Sequence, residues 1–274
     1  MTTPNALRIA LLQCPLDWEN APANIARLND HFESFSADER FDVMVLPEMW
    51  STGFTMSPMA HGMPWKDEWT GQPDVWPEPL RAMHHWGQRH QSAVVGSLAC
   101  YLVDENRCVN RCFFVTPSGE LHRYDKKHLF TFAGESEAYS AGESPTIVEW
   151  RGWRIFLQIC YDLRFPVFSR NSISNRYDLA LYVANWPEAR ASAWQQLLPA
   201  RALENQCYVA GVNRIGQDGQ GINHAGNSVI LDPKGRVLRE AEIHETIWIT
   251  ADLSWSELET YRDKFPVLRD GDLP

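Results

Sequence analysis

Three segments place a reactive side chain where an apolar run ends. Val43-Met44-Val45-Leu46-Pro47-Glu48 closes on a carboxylate, and Tyr124-Asp125-Lys126-Lys127-His128-Leu129-Phe130 carries ammonium groups just past a hairpin strand. The third, Ile155–Pro166, brings Cys160-Tyr161-Asp162-Leu163-Arg164 out of an apolar strand into a loop. Taken singly, each has an ordinary reading: a solvated carboxylate, surface lysines, a core thiol. Together they are complementary. A free thiol with a pKa near about 8.5 is only about 3% thiolate at neutral pH. A neighbouring ammonium favours the thiolate, and a carboxylate can take its proton during attack. The same ammonium, with a backbone N–H, can hold the oxyanion of a tetrahedral intermediate. Cys, Glu and Lys are therefore a sufficient set for acyl transfer from an amide.

Short apolar runs alternating with helical patterns must position these groups. Strands are expected over 7–13, 41–46, 92–103, 107–117, 153–159, 179–183 and 207–212, and over 224–231, 236–240 and 246–251 near the C-terminus. Helices are expected over 24–35, 78–90, 165–175, 192–205 and 254–264, the last opened by Ser254-x-x-Glu257. Near-continuous apolar strands imply sheets covered on both faces. Helical crossovers mixed with hairpins suggest two mixed sheets packed together with helices outside. Open sheets of this kind place sites at the carboxyl ends of their strands, where the three segments could converge. No linker divides the chain, so residues 1–274 are expected to form one domain.

Composition narrows the function. The chain has 274 residues, 44% apolar and 22% charged, with 25 Lys+Arg against 35 Asp+Glu and a net charge of −10. That acidity and the lack of a basic stripe argue against nucleic acid. Six cysteines are too sparse for a disulfide framework, and Cys108 and Cys112 lack the partners a zinc site needs. The N-terminus Met1-Thr2-Thr3-Pro4-Asn5 has no basic leader, and the longest apolar run, 93–103, is about half of what crosses a bilayer. A soluble, cytoplasmic protein without membrane partners is expected.

The motifs resemble those of the carbon–nitrogen hydrolase (nitrilase) superfamily. The resemblance rests on Leu46-Pro47-Glu48, Lys126-x-His128-Leu129-Phe130 and Cys160-Tyr161-Asp162-Leu163-Arg164-Phe165-Pro166. It extends through Ala184-Asn185-Trp186, Arg201-Ala202-x-Glu204-Asn205 and Gly226-Asn227-Ser228. It implies an α/β fold, a four-layer αββα sandwich, with a catalytic Glu48, Lys126, Cys160 triad. The family pattern selects Lys126 over Lys127, and spacing from Gly142 selects Glu135 over Glu137 as a supporting glutamate. It also implies that the Tyr161 backbone N–H helps Lys126 hold the oxyanion, that no metal or organic cofactor is needed, and that a homodimer forms, with segments 248–255 and 265–268 as candidate contributors.

The residues after the cysteine, with Asn185-Trp186-Pro187, look like the omega-amidase branch, which hydrolyses the terminal amide of 2-oxoglutaramate or 2-oxosuccinamate to the dicarboxylic oxo acid and ammonia. The alternatives are another small carboxamide or nitrile hydrolase of the superfamily, or a catalytically silent binding protein. A carboxylate-bearing substrate needs a local cation in so acidic a protein. Arg190 is the candidate, set against a role at the start of the following helix, with Trp186 as a pocket wall. Arg164 is expected to brace the nucleophile loop through a carboxylate. A papain-like set using His224 and Asn227 is disfavoured by their closeness in sequence.

Overall fold

The computed structural model describes residues 6–36 and 39–271; the N-terminal residues behind the leader expectation lie outside that range. In chain order the strands and helices are β1 (Leu7–Gln13), α1 (Ala21–Glu33), β2 (Val43–Val45), α2 (Pro58–His61), β3 (Met63–Trp65), α3 (Glu78–His90), β4 (Ala93–Leu102), β5 (Arg107–Val115), β6 (Leu121–Asp125), α4 (Glu135–Ala138), β7 (Thr146–Trp150) and β8 (Trp153–Ile159). There follow β9 (Leu179–Ala184), α5 (Ala191–Asn205), β10 (Tyr208–Asn213), β11 (Ile215–Gln217), β12 (Asn223–Ala225), β13 (Val229–Leu231), β14 (Val237–Glu240), β15 (Ile247–Leu253) and α6 (Trp255–Lys264).

One sheet runs β15-β1-β2-β4-β5-β6, with β3 on β4; the other runs β14-β13-β10-β9-β8-β7. Both are mixed: β1, β2 and β4 are parallel, as are β8, β9 and β10, and antiparallel strands flank them. Side-chain alternation sorts β1 into two cores. Leu7, Ile9 and Leu11 face the second sheet, whereas Ala10 and Leu12 face α1 and α3. Burial of both faces explains the unbroken apolar run. Helix α5 covers the outer side of the second sheet, packing Trp194, Leu198 and Ala202 with β10 residues. The result is the αββα sandwich.

Several boundaries differ from the sequence expectation for local reasons. Helix α1 starts at Ala21 because the Asn20 side chain accepts from the Ala23 N–H at 3.1 Å and proline follows in the first turn. The helix expected over 165–175 is absent; the chain there makes turns. Asn171 binds the Tyr177 N–H and C=O at 2.9 Å each, and Ser172 Oγ accepts from the Asn175 N–H. Such short polar side chains compete with a helical ladder. Segment 50–76 packs firmly, with Trp50, Trp65 and Trp76 buried and β3 hydrogen-bonded to β4. Trp248 and Trp255 pack against Phe32 and Trp153 of their own chain, whereas Phe265 is exposed. Among the described residues, no helix is long and apolar enough to cross a membrane.

Gln13, the last residue of β1, ties the first sheet to the connections that flank β13 and β14 of the second. Its amide donates to the Glu242 and Glu245 carbonyls at 2.8 and 2.9 Å and accepts from the Ser228 N–H at 3.1 Å. Gly226, at φ 85°, lets the chain pass over it; a Cβ there would lie 2.1 Å from the Gln13 Oε1. Gly226→Ala should therefore cost about 2–4 kcal/mol through backbone strain and broken hydrogen bonds. Urea unfolding of both proteins measures this, and a loss below 0.5 kcal/mol, roughly a silent surface change, would contradict it.

Candidate active site

The site lies where strands of both sheets end. Glu48 follows β2, Lys126 follows β6, Cys160 follows β8 and Asn185 follows β9, while Asn110 comes from within β5. Each turn is anchored. After Glu48, Met49 takes a left-handed φ of 43° and donates its N–H to Ser97 Oγ of β4 at 2.9 Å. Cys160 itself has φ 42° and opens a short 3-10 turn, Cys160–Arg164. A non-glycine residue in this region costs about 1–3 kcal/mol and persists only where its surroundings hold it.

Asp162 supplies that hold. Its carboxylate accepts from the Ile159 N–H at 3.0 Å, Tyr124 OH at 2.8 Å and the His128 N–H at 3.0 Å, with His128 Nδ1 at 2.8 Å. One buried carboxylate thus binds the lysine loop to the cysteine turn, and His128 stacks on Phe165 at 3.9 Å. Arg201 adds a bond to the Leu163 carbonyl at 2.7 Å.

Lys126 is fully buried, and its Nζ lies 2.9 Å from Glu48 Oε1 and 2.9 Å from both Glu135 oxygens. Asn110 Nδ2 donates to both glutamates, at 2.8 and 3.1 Å, and the Phe130 N–H donates to Glu135 at 2.6 Å. Glu48 Oε2 accepts the Asn185 N–H at 2.8 Å, while the Asn185 side chain holds the Glu48 carbonyl. Burial alone would lower the Lys126 pKa, but Glu135 and Glu48 reverse that and hold it above its ordinary value. Burial raises Glu135, against the pull of Lys126. Burial also pushes the Cys160 thiol well up, helped by the Glu48 carboxylate and opposed by Lys126. Burial in this cluster thus works against the thiolate form of Cys160.

Above this base opens a cavity of about 470 Å³, with Lys126, Cys160, Tyr161 and Asn185 at its lining. Its walls are largely aromatic. Trp186, 3% exposed, donates its indole N–H to the Arg190 carbonyl at 2.8 Å. The Arg190 guanidinium lies 4.9 Å from the Phe132 ring and 5.4 Å from Phe130. Arg190 is the residue preceding α5, but its side chain makes no capping bond there. Arg164 does not brace the loop through a carboxylate; its guanidinium sits 5.1 Å from the Trp186 ring and faces the cavity. Neither guanidinium forms an ion pair among the described residues.

Glu48, Lys126, Glu135 and Cys160 converge, whereas Lys127 is only half-buried and Glu137 is exposed. Cys14, Cys100, Cys112 and Cys207 are core thiols raised by burial. Asn110 was not anticipated, although an asparagine within the apolar run Cys108–Val115 is a legible signal. Asn213 is another such residue: its side chain accepts from the Trp186 N–H at 2.8 Å and donates to the Trp186 carbonyl at 3.0 Å. His224 reaches the same cavity, but Asn227 holds Trp194 through its carbonyl. Among the described residues no group of His, Cys, Asp and Glu could hold a metal ion.

The family profile described as "Carbon-nitrogen hydrolase" matches residues 8–263. The chain belongs to the carbon–nitrogen hydrolase family. This carbon–nitrogen hydrolase is 46% identical to "Omega-amidase YafV" of Escherichia coli over 266 residues, 97% of each chain. It is 32% identical to "2-oxoglutaramate amidase" of Bacillus subtilis over 269 residues, 96% of each. Among solved structures, XC1258 from Xanthomonas campestris, a CN-hydrolase superfamily protein with an arsenic adduct in its active site, aligns with a TM-score of 0.86. It is 36% identical and 97% of each chain is covered.

His224 generates a pH prediction for this hydrolase. Burial, with help from Arg214, pushes its imidazole down to about 4. The unfolded chain binds a proton at this histidine below about pH 6.5. The folded chain does so only below about 4. His224 thus makes stability fall as pH drops through that window. In His224→Gln the loss of stability between pH 7 and pH 4.5 should be smaller by about 2–3 kcal/mol. Urea unfolding at both pH values tests it; identical losses in the two proteins would show that His224 is protonated in the fold.

Proposed function

We propose that this carbon–nitrogen hydrolase works as a single catalytic unit over residues 1–274, with Cys160 as nucleophile. The observation that carries this reading is one buried ammonium shared between two carboxylates at the base of a cavity that also presents a thiol. The protein is an amidohydrolase. It hydrolyses the terminal amide of 2-oxo acid amides such as 2-oxoglutaramate and 2-oxosuccinamate, in keeping with its omega-amidase relatives.

As Cys160 attacks the amide carbon, its proton passes to Glu48. Because burial disfavours the thiolate, the thiol must give up its proton to a base on or before attack. Lys126 and the Tyr161 N–H stabilise the oxyanion, in a setting where water is excluded and fixed charges act strongly. Glu48 then protonates departing ammonia and activates the water that cleaves the thioester. Glu135, held on Lys126 by two contacts, positions the ammonium. Asn185 and Asn110 orient the Glu48 carboxylate from opposite sheets.

Arg190 is the cation for the substrate carboxylate, and Trp186 is the wall that carries it, through the bond from its indole to the Arg190 backbone. The aromatic surroundings strengthen a guanidinium–carboxylate pair by limiting its solvation. The protein is read as cytoplasmic and as a homodimer, with exposed Phe265 of segment 265–268 available to a partner. Sedimentation at micromolar concentration checks the dimer; a 31.4 kDa species would contradict it.

Ammonia release from 2-oxoglutaramate, compared with glutamine, asparagine and simple nitriles, tests the substrate. Cys160→Ala should lower kcat by at least about 10⁴-fold with unfolding unchanged. Arg190→Gln should raise KM about tenfold or more for the oxo acid amide while leaving kcat within a few-fold. Preference for a nitrile would move the protein to another activity of the family, and near-normal turnover by Cys160→Ala would remove the nucleophile assignment.

A further inference from the structure

Arg164 has no part in the mechanism above, yet it lines the catalytic cavity. It closes the short turn Cys160–Arg164 that carries the thiol. A 3-10 turn rises about 2 Å per residue, so the two Cα atoms lie about 8 Å apart. The Arg164 guanidinium sits 5.1 Å from the Trp186 ring, and no carboxylate pairs with it among the described residues. Trp186 in turn donates its indole N–H to the Arg190 carbonyl at 2.8 Å. One buried indole thus joins two arginines along one wall. Lys126 is engaged by both glutamates, so these are the cations left for a substrate. A 2-oxo acid amide carries one carboxylate, and the cavity therefore holds one cation more than that charge needs.

The acyl chain shows what the second cation meets. With the amide carbon at Cys160 and the carboxylate on Arg190, the chain runs from the base of the cavity toward its mouth. An extended chain advances about 1.2 Å per bond, which puts the oxo carbon of 2-oxoglutaramate about 4 Å, and its carboxylate carbon about 5 Å, from the amide carbon. Arg164 starts from the turn of the thiol itself. Arg190 places its guanidinium on Phe132, which is 82% exposed at the mouth. The order of the two cations along the wall matches the order of the two groups along the chain.

The chemistry of the two groups also fits. A guanidinium only donates hydrogen bonds, and the oxygens of an oxo acid only accept them. Glutamine has an ammonium on the same carbon, a group that only donates and carries a like charge. The lining offers that ammonium one carboxylate, Asp218, whose Oδ1 already accepts the Gln220 and Ile222 N–H groups at 2.9 Å each. A site built to bond a polar substituent rejects the analogue without it far more strongly than an apolar contact can.

Resting on the amidase reading above, we infer that Arg164 is a specificity-determining residue, whose guanidinium donates to the 2-oxo oxygen and so selects 2-oxo acid amides over 2-amino acid amides.

The test compares kcat/KM, from ammonia release, for 2-oxoglutaramate, glutaramate and glutamine. Glutaramate has a methylene in place of the oxo carbon. The unaltered protein should favour 2-oxoglutaramate over glutaramate at least about tenfold, the worth of a hydrogen bond to a charged group. Arg164→Met keeps the stem on Trp186 without a donor and should bring that ratio within about twofold of unity. Arg164→Lys keeps a charged donor and should retain part of the preference. Arg190→Gln should weaken both substrates together and leave the ratio in place. Glutamine should be the poorest of the three, and Arg164→Met should raise it relative to glutaramate. An equal loss on 2-oxoglutaramate and glutaramate in Arg164→Met, the mark of a packing role, would overturn the inference and leave the amidase reading intact. Glutamine turned over as readily as 2-oxoglutaramate would do the same. Inactivity toward all three amides would overturn the amidase reading and the inference with it.

Discussion

The buried ammonium of Lys126 is the constraint on which the rest of the structure depends. Taking an ion out of water costs several kcal/mol even after relaxation, and the cost is offset only by good partners. Here two carboxylates supply them, leaving a net negative cluster that needs further donors. Asn110 of β5 bridges both glutamates, the Phe130 N–H serves Glu135, and the Asn185 N–H serves Glu48. These partners come from both sheets. A shift of either sheet would strand a buried charge, so the geometry of Glu48, the proposed base, and the register of the sandwich are one requirement.

Cys160, the proposed nucleophile, is bound to this cluster by a second buried carboxylate. Asp162 holds Tyr124, His128 and the start of the cysteine turn together, which keeps Cys160 in its left-handed conformation next to Glu48. Met49 bears a similar conformation beside Glu48. Strain at both positions is the cost of aiming two side chains at one point from strands that end in different sheets. It is offset by the hydrogen bonds that fix each turn to a neighbouring strand.

The protein is acidic overall, yet its cavity is lined by two guanidinium groups. The net charge of −10 gives no general attraction for a carboxylate. Arg164 and Arg190 face the cavity over aromatic rings, with no ion pair among the described residues to occupy them. A guanidinium stacked on a ring keeps its in-plane N–H donors available for an incoming anion. On the reading proposed above, local charge rather than overall charge draws a carboxylate into the cavity.

The sequence by itself determined the elements whose patterns are strong. Strands β1 and β8 and helix α3 have the bounds their periodicity predicts, and the order of Glu48, Lys126, Glu135 and Cys160 was legible from motif and spacing. Polar residues inside loops and strands were not. Asn171 and its serine neighbours read as part of a helix over 165–175 because periodicity ignores side chains that bind backbone, and Asn110 was hidden in an apolar strand. Arg164 was assigned a carboxylate partner, yet it stacks on Trp186, a neighbour from a different strand end. Tertiary structure alone decided these points. Burial sets whether a charge must be paired, and only the packing of two sheets determines which side chains arrive to pair with it.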